Sequence, residues 1–262
     1  MTLLAAAIWV EFAKTRRARV PWFLAGAFSL IPLVGGMFML ILKNPEQARA
    51  LGLLGAKAQL AAVSADWPGY LLFLAEGLGV GGLVLFTFLT AWVVGREFAD
   101  RTVRTILALP TPRRAVVVAK LLVIGAWCAA AAAWATLLGL AVGAVIGLPG
   151  WSTDLAIETI WRIALAVAIG VVLQSTTAFV ASVGRGYLPP LGWAVATMAL
   201  AQILRALGWA AWFPWAVPAL VVAPPDPTAE AASLASFVVV GVTALAGLAA
   251  SVAWWQRADQ TG

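Results

Sequence analysis

Six runs of this chain are long, apolar and almost free of charge, and that pattern leaves few folds open. They cover residues 22–42, 70–94, 116–148, about 160–183, about 190–207 and about 234–255, and the charges that interrupt them are Glu76, Lys120, Arg162 and Arg205. A bilayer core about 30 Å thick is crossed by about 20 helical residues at ~1.5 Å each. Lipid offers no partner to an open backbone, so such spans are helices; a barrel would show alternating segments of about 10 residues instead. Composition agrees: 63% of the 262 residues are hydrophobic and 11% are charged, against about 25% charged in a soluble domain. The expected fold is all-α: a polytopic membrane protein of six transmembrane helices forming a single domain, 1–262.

The scarce polar chemistry excludes more. There is no His, and Cys128 is the one cysteine. An internal disulfide, the usual zinc and haem ligand sets and the His-based hydrolytic triads are therefore out. No nucleophile–base pair is visible, so the chain is not expected to be an enzyme. A net charge of +6 would suit nucleic acid only if it gathered on a soluble face; here the charges lie between apolar runs. Membrane lipids are the expected surroundings and nucleic acid is not an expected partner.

The basic residues also set an orientation, because loops rich in Lys and Arg stay on the cytoplasmic side. Of 17 Lys and Arg, 12 fall on one side: Lys14, Arg16, Arg17, Arg19, Arg96, Arg101, Arg104, Arg113, Arg114, Lys120, Arg185 and Arg257. Both termini are thus expected in the cytoplasm, with the chain in the plasma or inner membrane. Trp22, Trp67, Trp92, Trp151, Trp161, Trp209, Trp254 and Trp255 fall at span ends, as interfacial anchors do. Residues 3–19 read as a helix lying in the interface, with Leu4, Ile8 and Phe12 on one side, Trp9 nearby, and Glu11, Lys14 and Arg17 roughly opposite. Its charges follow its apolar stretch, the reverse of a signal peptide.

The most informative segment is the basic loop 95–115. Glu97 with Arg101 and Asp100 with Arg104 are acid-then-base pairs at i, i+4, which favour a helix, and Val103, Ile106 and Leu107 make a short apolar stripe. Pro110 ends that helix. Thr111 then reads as an N-cap, with Pro112 at the first position of the next one. A short charged helix braced between two spans is suited to being pushed from the cytoplasm, and equally suited to lying on lipid headgroups.

Glu97, Arg101-Thr102, the stretch Ile106-Leu107-Ala108-Leu109-Pro110, Thr111-Pro112-Arg113 and Lys120 together resemble the permease subunits of type-2 ATP-binding-cassette (ABC) exporters. The layout is similar too, with an interfacial N-terminal helix, a long loop after the first span and a broken apolar segment before the sixth. The family usually has Gly where this chain has Arg101. The resemblance implies that 95–115 is a coupling loop that seats in a separate ATPase subunit, with Glu97, Phe98, Arg101, Thr102, Arg104 and Thr105 at the contact. It also implies a second permease, identical or related, forming the translocation path. Residues 52–57 miss the spacing of a phosphate-binding loop, so no cofactor is expected in this chain, and ATP and Mg belong to the partner ATPase.

Other features are open to two readings. The 184–190 turn, with Arg185 and Tyr187, is a tight Gly/Pro connection or a second cytoplasmic contact. Glu76, inside the second span, is a group on the translocation path or a paired carboxylate, with Arg162 or Arg205 as partners. Gln174, among Ser175, Thr176 and Thr177, lines the path or joins helices. Gly77, Gly79, Gly81, Gly82, Gly139, Gly143 and Gly147 read as close-packing positions. Residues 208–218 read as a re-entrant or outer cap, with Asp226-Pro227 opening the last helix. The competing functions are an ion-coupled secondary transporter using Glu76 and a non-transporting membrane anchor. The substrate is not legible.

Overall fold

The computed structural model describes residues 2–43, 64–100, 102, 111–224 and 230–257. Every regular element among them is helical. The short α1 (Leu3–Arg17) opens on the Thr2 side chain, which accepts from the Ala5 N–H, and closes where Ala18 turns extended. Helix α2 (Val20–Lys43) follows at once, with Pro21 in its first turn, where a fixed φ and a missing N–H cost nothing. Asp66 caps α3 (Trp67–Ala99), accepting from the Gly69 N–H at 2.9 Å. Helix α4 is Arg113–Ile146, α5 is Thr153–Val183 and α6 is Leu188–Ala206. A 3₁₀ turn at Ala210–Trp212 and the short α7 (Val217–Val222) lead to α8 (Leu234–Arg257).

Among the described residues, five helices, α2, α3, α4, α5 and α8, are long and apolar enough to cross a membrane. The expected fifth span, residues 190–207, falls on the 19-residue helix α6. It opens on two prolines and carries Gln202 and Arg205 near its end, and it is not among those five. Helix α5 is the hub, packed against α3, α4, α6, α7 and α8. Phe28, Leu78, Phe86, Leu89, Ile124, Cys128, Ala135 and Ala166 fill the main core. A second cluster at the other end joins Met39, Trp67, Tyr70 and Leu74, where the Tyr70 hydroxyl donates to the Pro32 carbonyl at 3.0 Å.

Several local readings are corrected. Helix α4 starts at Arg113 behind Pro112, with no side-chain cap, so Thr111 does not cap it. Gly147 is a helix stop and not a packing notch: its φ is +67°, a conformation that favours Gly, and Lys43 Nζ reaches the freed carbonyls of Ile146 and Gly147 at 3.0 and 3.3 Å. Gly139 and Gly143 do pack closely; a Cβ there would come within 2.6 Å of Leu74 and 2.5 Å of the Trp67 ring. Gly77–Gly81 form a π-helical turn inside α3, which sequence periodicity did not reveal. Gly is a poor former of the α-helical ladder, and the ladder loosens by one residue where Gly77, Gly79 and Gly81 gather.

Helix α1 docks through a face that carries both Glu11 and Phe12, which the expected separation of its polar and apolar sides had kept apart. Glu11 and Thr15 are its buried residues, while Trp9 is 67% and Val10 49% exposed. The docked face joins the polar pair Glu11 and Thr15 to Phe12 of the apolar stripe, which stacks on Trp127. The 208–222 segment is re-entrant: Val217 packs on Ile169 and Leu173 in the middle of α5, and the chain returns where Arg162 donates to the Ala223 carbonyl at 2.7 Å. The Glu230 carboxylate accepts from the N–H groups of Ala210 and Ala211 at 2.9 and 2.7 Å, holding the entry. Asp226-Pro227 lies outside the described residues.

Candidate functional site

A charge cluster sits at the base of the 95–115 loop, with Glu11, Glu97 and Lys120 buried in the bundle and Lys14 half-buried at its edge. Lys120, in the second turn of α4, is 2% exposed and holds Glu97 Oε1 and Glu11 Oε2, both at 2.8 Å. Lys14 closes the circuit on Glu11 at 3.0 Å and on Glu97 at 3.3 Å. Burial works against the Lys14 ammonium, but Glu11 and Glu97 outweigh it and hold its pKa above the ordinary value. Two carboxylates and two ammoniums alternate, so the cluster carries no net charge. Each buried ion costs several kcal/mol in desolvation, and only such close pairing offsets it. Thr102 donates to Glu97 as well, and its N–H reaches the Glu97 carbonyl at 2.9 Å. Glu97 thus ties α1, the end of α3, the loop and α4 together.

Around this cluster lies a wider framework. Thr15 accepts from Trp127 Nε1 at 3.0 Å, and Phe12 stacks on the same indole. Phe98, at the end of α3, meets Trp254 and Trp255 edge-on, and Trp255 Nε1 donates to Ser182 at 3.0 Å. Arg113 donates to the carbonyls of Trp255 and Gln256 at 3.1 and 3.2 Å, where a cation suits the end of a helix. The 184–187 turn rests on the same platform. A Cβ on Gly95 would come within 2.9 Å of the Gly186 carbonyl and 3.1 Å of the Tyr187 ring, so only Gly permits that approach. Arg185 is exposed at a φ of +51°. Burial and the Asp100 carboxylate raise the Tyr187 pKa against the pull of Arg96.

Of the residues assigned to the ATPase contact, Glu97 is turned fully inward, Phe98 packs against the last helix and Thr102 serves Glu97. Arg101, Arg104 and Thr105 lie outside the described residues. Glu11 and Lys14 belong to the cluster although their spacing did not single them out. The signal was Lys120: a cation inside a span demands a carboxylate, and Glu11 is the one acid in the first 19 residues.

The two intramembrane positions separate. Gln174 is 2% exposed; its oxygen accepts from Thr90 at 3.1 Å and its nitrogen donates to the Gly170 carbonyl at 3.1 Å. That is helix glue. Ser175, donating to the Ala244 carbonyl at 2.8 Å, does the same for α8. Glu76 is exposed, directly before the π-helical turn. Arg162 pairs with Glu158, and among the described residues Glu76 is ion-paired with neither Arg162 nor Arg205.

A profile described as ABC-2 family transporter protein matches residues 7–200, a range that takes in the interfacial helix, the charge cluster and the loop. The chain belongs to the ABC-2 transporter family. This ABC-2 permease is also 25% identical over 178 residues to the bacitracin transport permease protein of Bacillus licheniformis, covering 68% of this chain and 85% of the relative. No solved structure matches it significantly. It is a multi-pass membrane subunit for transport and not itself catalytic.

Proposed function

We propose that this ABC-2 permease is the membrane half of an ATP-driven exporter, pairing with a second permease and with ATPase subunits docked on loop 95–115. The observation that carries the reading is the Glu11–Lys14–Glu97–Lys120 cluster, buried except at Lys14. It fastens the foot of the loop to α1, α3 and α4 at once, so a force on the loop moves three elements together. Glu97 is the inner strut of this joint and Phe98 its hinge against α8. Arg101, Thr102, Arg104 and Thr105 are the proposed contact with the ATPase, and Arg185 and Tyr187, seated over Gly95, are the second contact. ATP and Mg bind in the ATPase. Six spans, with α6 as the fifth, put both termini in the cytoplasm of a plasma or inner membrane.

Glu76 lies on the proposed translocation path. A carboxylate facing out of the protomer at membrane depth is costly against lipid, and a face shared with the second permease removes that cost. Gln174, buried and satisfied, is left out of the path. The relative's name makes bacitracin the first substrate to test. Purification should bring down an ATPase whose hydrolysis falls on reversing Arg101 and Arg104 to Glu by more than it falls in Glu76→Gln. A fully active transporter isolated without an ATPase overturns the reading; the opposite order of variants favours ion coupling through Glu76.

A further inference from the structure

The outward face of α1 has no role in the charge cluster. Helical spacing puts Leu3, Trp9, Val10, Arg16 and Arg17 on the side away from Glu11 and Thr15, and all five are exposed, as is Arg19 in the turn that follows. None of the three arginines is ion-paired among the described residues. Trp22 and Phe23, at the start of α2, are 69% and 72% exposed, and as apolar groups on a membrane helix they meet lipid. Arg19 precedes Trp22 by three residues, about 4.5 Å along a helix axis. The guanidiniums therefore stand at the edge of the hydrocarbon, where the anions present are lipid phosphates. The apolar N-terminal half of the same face suits the acyl region beneath.

We propose that α1 and the turn after it form a binding site for anionic phospholipid, and that Lys14 passes its occupancy to Glu97 at the foot of the loop. Lys14 sits between the two sides of α1. Its ammonium faces Glu11 and Glu97, and Arg17 lies one turn further along. Without an anion the crowded cations repel one another and loosen α1 from Glu97. Lipid phosphates remove the repulsion and let the cluster close. The site rests on the membrane reading of this permease and not on its ATPase, so its test needs no ATPase and fails independently of the exporter proposal.

The full chain, purified in detergent, is titrated with phosphatidylglycerol and with phosphatidylcholine and followed by native mass spectrometry. Wild type should retain phosphatidylglycerol preferentially. The Arg16→Gln, Arg17→Gln, Arg19→Gln variant should bind it about tenfold more weakly or worse, and the same three positions changed to Lys should recover binding. Equal retention of both lipids, an unchanged Gln variant, or full displacement by inorganic phosphate overturns a lipid site. In nanodiscs, tryptic cleavage after Arg101 and Arg104 should be slower with phosphatidylglycerol than with phosphatidylcholine. Lys14→Gln should keep the lipid and lose that difference; a difference that persists in Lys14→Gln overturns the transmission through Lys14.

Discussion

Lys120 shows how little a residue's type says about its surroundings. By sequence it is one basic residue near the start of a span and part of a motif, and its ammonium is enclosed by Glu11 and Glu97. Removing it strands two carboxylates with only Lys14 between them. Lys120→Ala should therefore destabilise the permease by about 3–5 kcal/mol, read as a drop in thermal unfolding temperature in detergent. Lys120→Ala with Glu97→Ala leaves the Glu11–Lys14 pair intact and should recover much of that loss. An equal loss in both would mean that packing, not charge, holds the joint. Lys14 sets a pH limit. Its pKa is raised above 10.5 in the folded state, so its contribution is fully present below that pH and fades as pH climbs through the folded value. Thermal stability should be indifferent to Lys14 titration at neutral pH, with the Lys14→Gln difference shrinking only in strong alkali.

At the scale of elements, helix contacts in lipid depend on small residues and shared hydrogen bonds, since apolar surface gains nothing by leaving lipid. The α5–α8 seam uses both. Ser175 donates to Ala244, and Ser251 donates to the Ser175 carbonyl at 3.2 Å. Gly247 lets the backbones close in, and a Cβ there would lie 2.7 Å from the Thr176 nitrogen. A backbone atom cannot swing aside, so Gly247→Ala should cost about 1–3 kcal/mol. Gly241, on the same helix, has nothing within 4 Å of a Cβ. Gly241→Ala should be neutral or stabilising by about 0.5–1 kcal/mol. Paired melting curves check both, and similar effects at the two sites would show that the seam is not tight. The helices themselves were readable as apolar runs. The π-helical turn was not, because it depends on Ile31, Ala166 and Val222 crowding Gly77 and Gly79 from three other elements.

For the whole molecule, the question is which faces meet lipid and which meet protein. Cys128 is buried, so in a Cys128→Ala background Glu76→Cys provides a single reporter. If that face of α3 lines a path shared with a second permease, a membrane-impermeant thiol reagent should label Glu76→Cys, and oxidation should cross-link two copies. Labelling only by membrane-partitioning reagents would place Glu76 against lipid. The end of α3 and the 184–187 turn meet closely because Gly95 admits the turn, so Gly95→Val should impair transport while leaving the remote seam at Gly247 intact, checked by paired transport and melting assays.

The run lengths, the missing His and the grouping of basic residues determined an all-helical membrane protein with one unusually basic loop, since hydrophobic length and backbone satisfaction are properties of the chain alone. The motif residues from Glu97 to Lys120 were enough to show the resemblance to ABC-2 permeases. Only the tertiary structure decided the rest: that Glu97 points inward, that α1 docks through Glu11 and Thr15 beside Phe12, that Gln174 bonds across two helices, and that Arg162 serves the re-entrant segment. Each depends on a partner distant in sequence, 109 positions for Glu11 and Lys120. A buried charge goes wherever the chain brings its counter-charge, which no local pattern records.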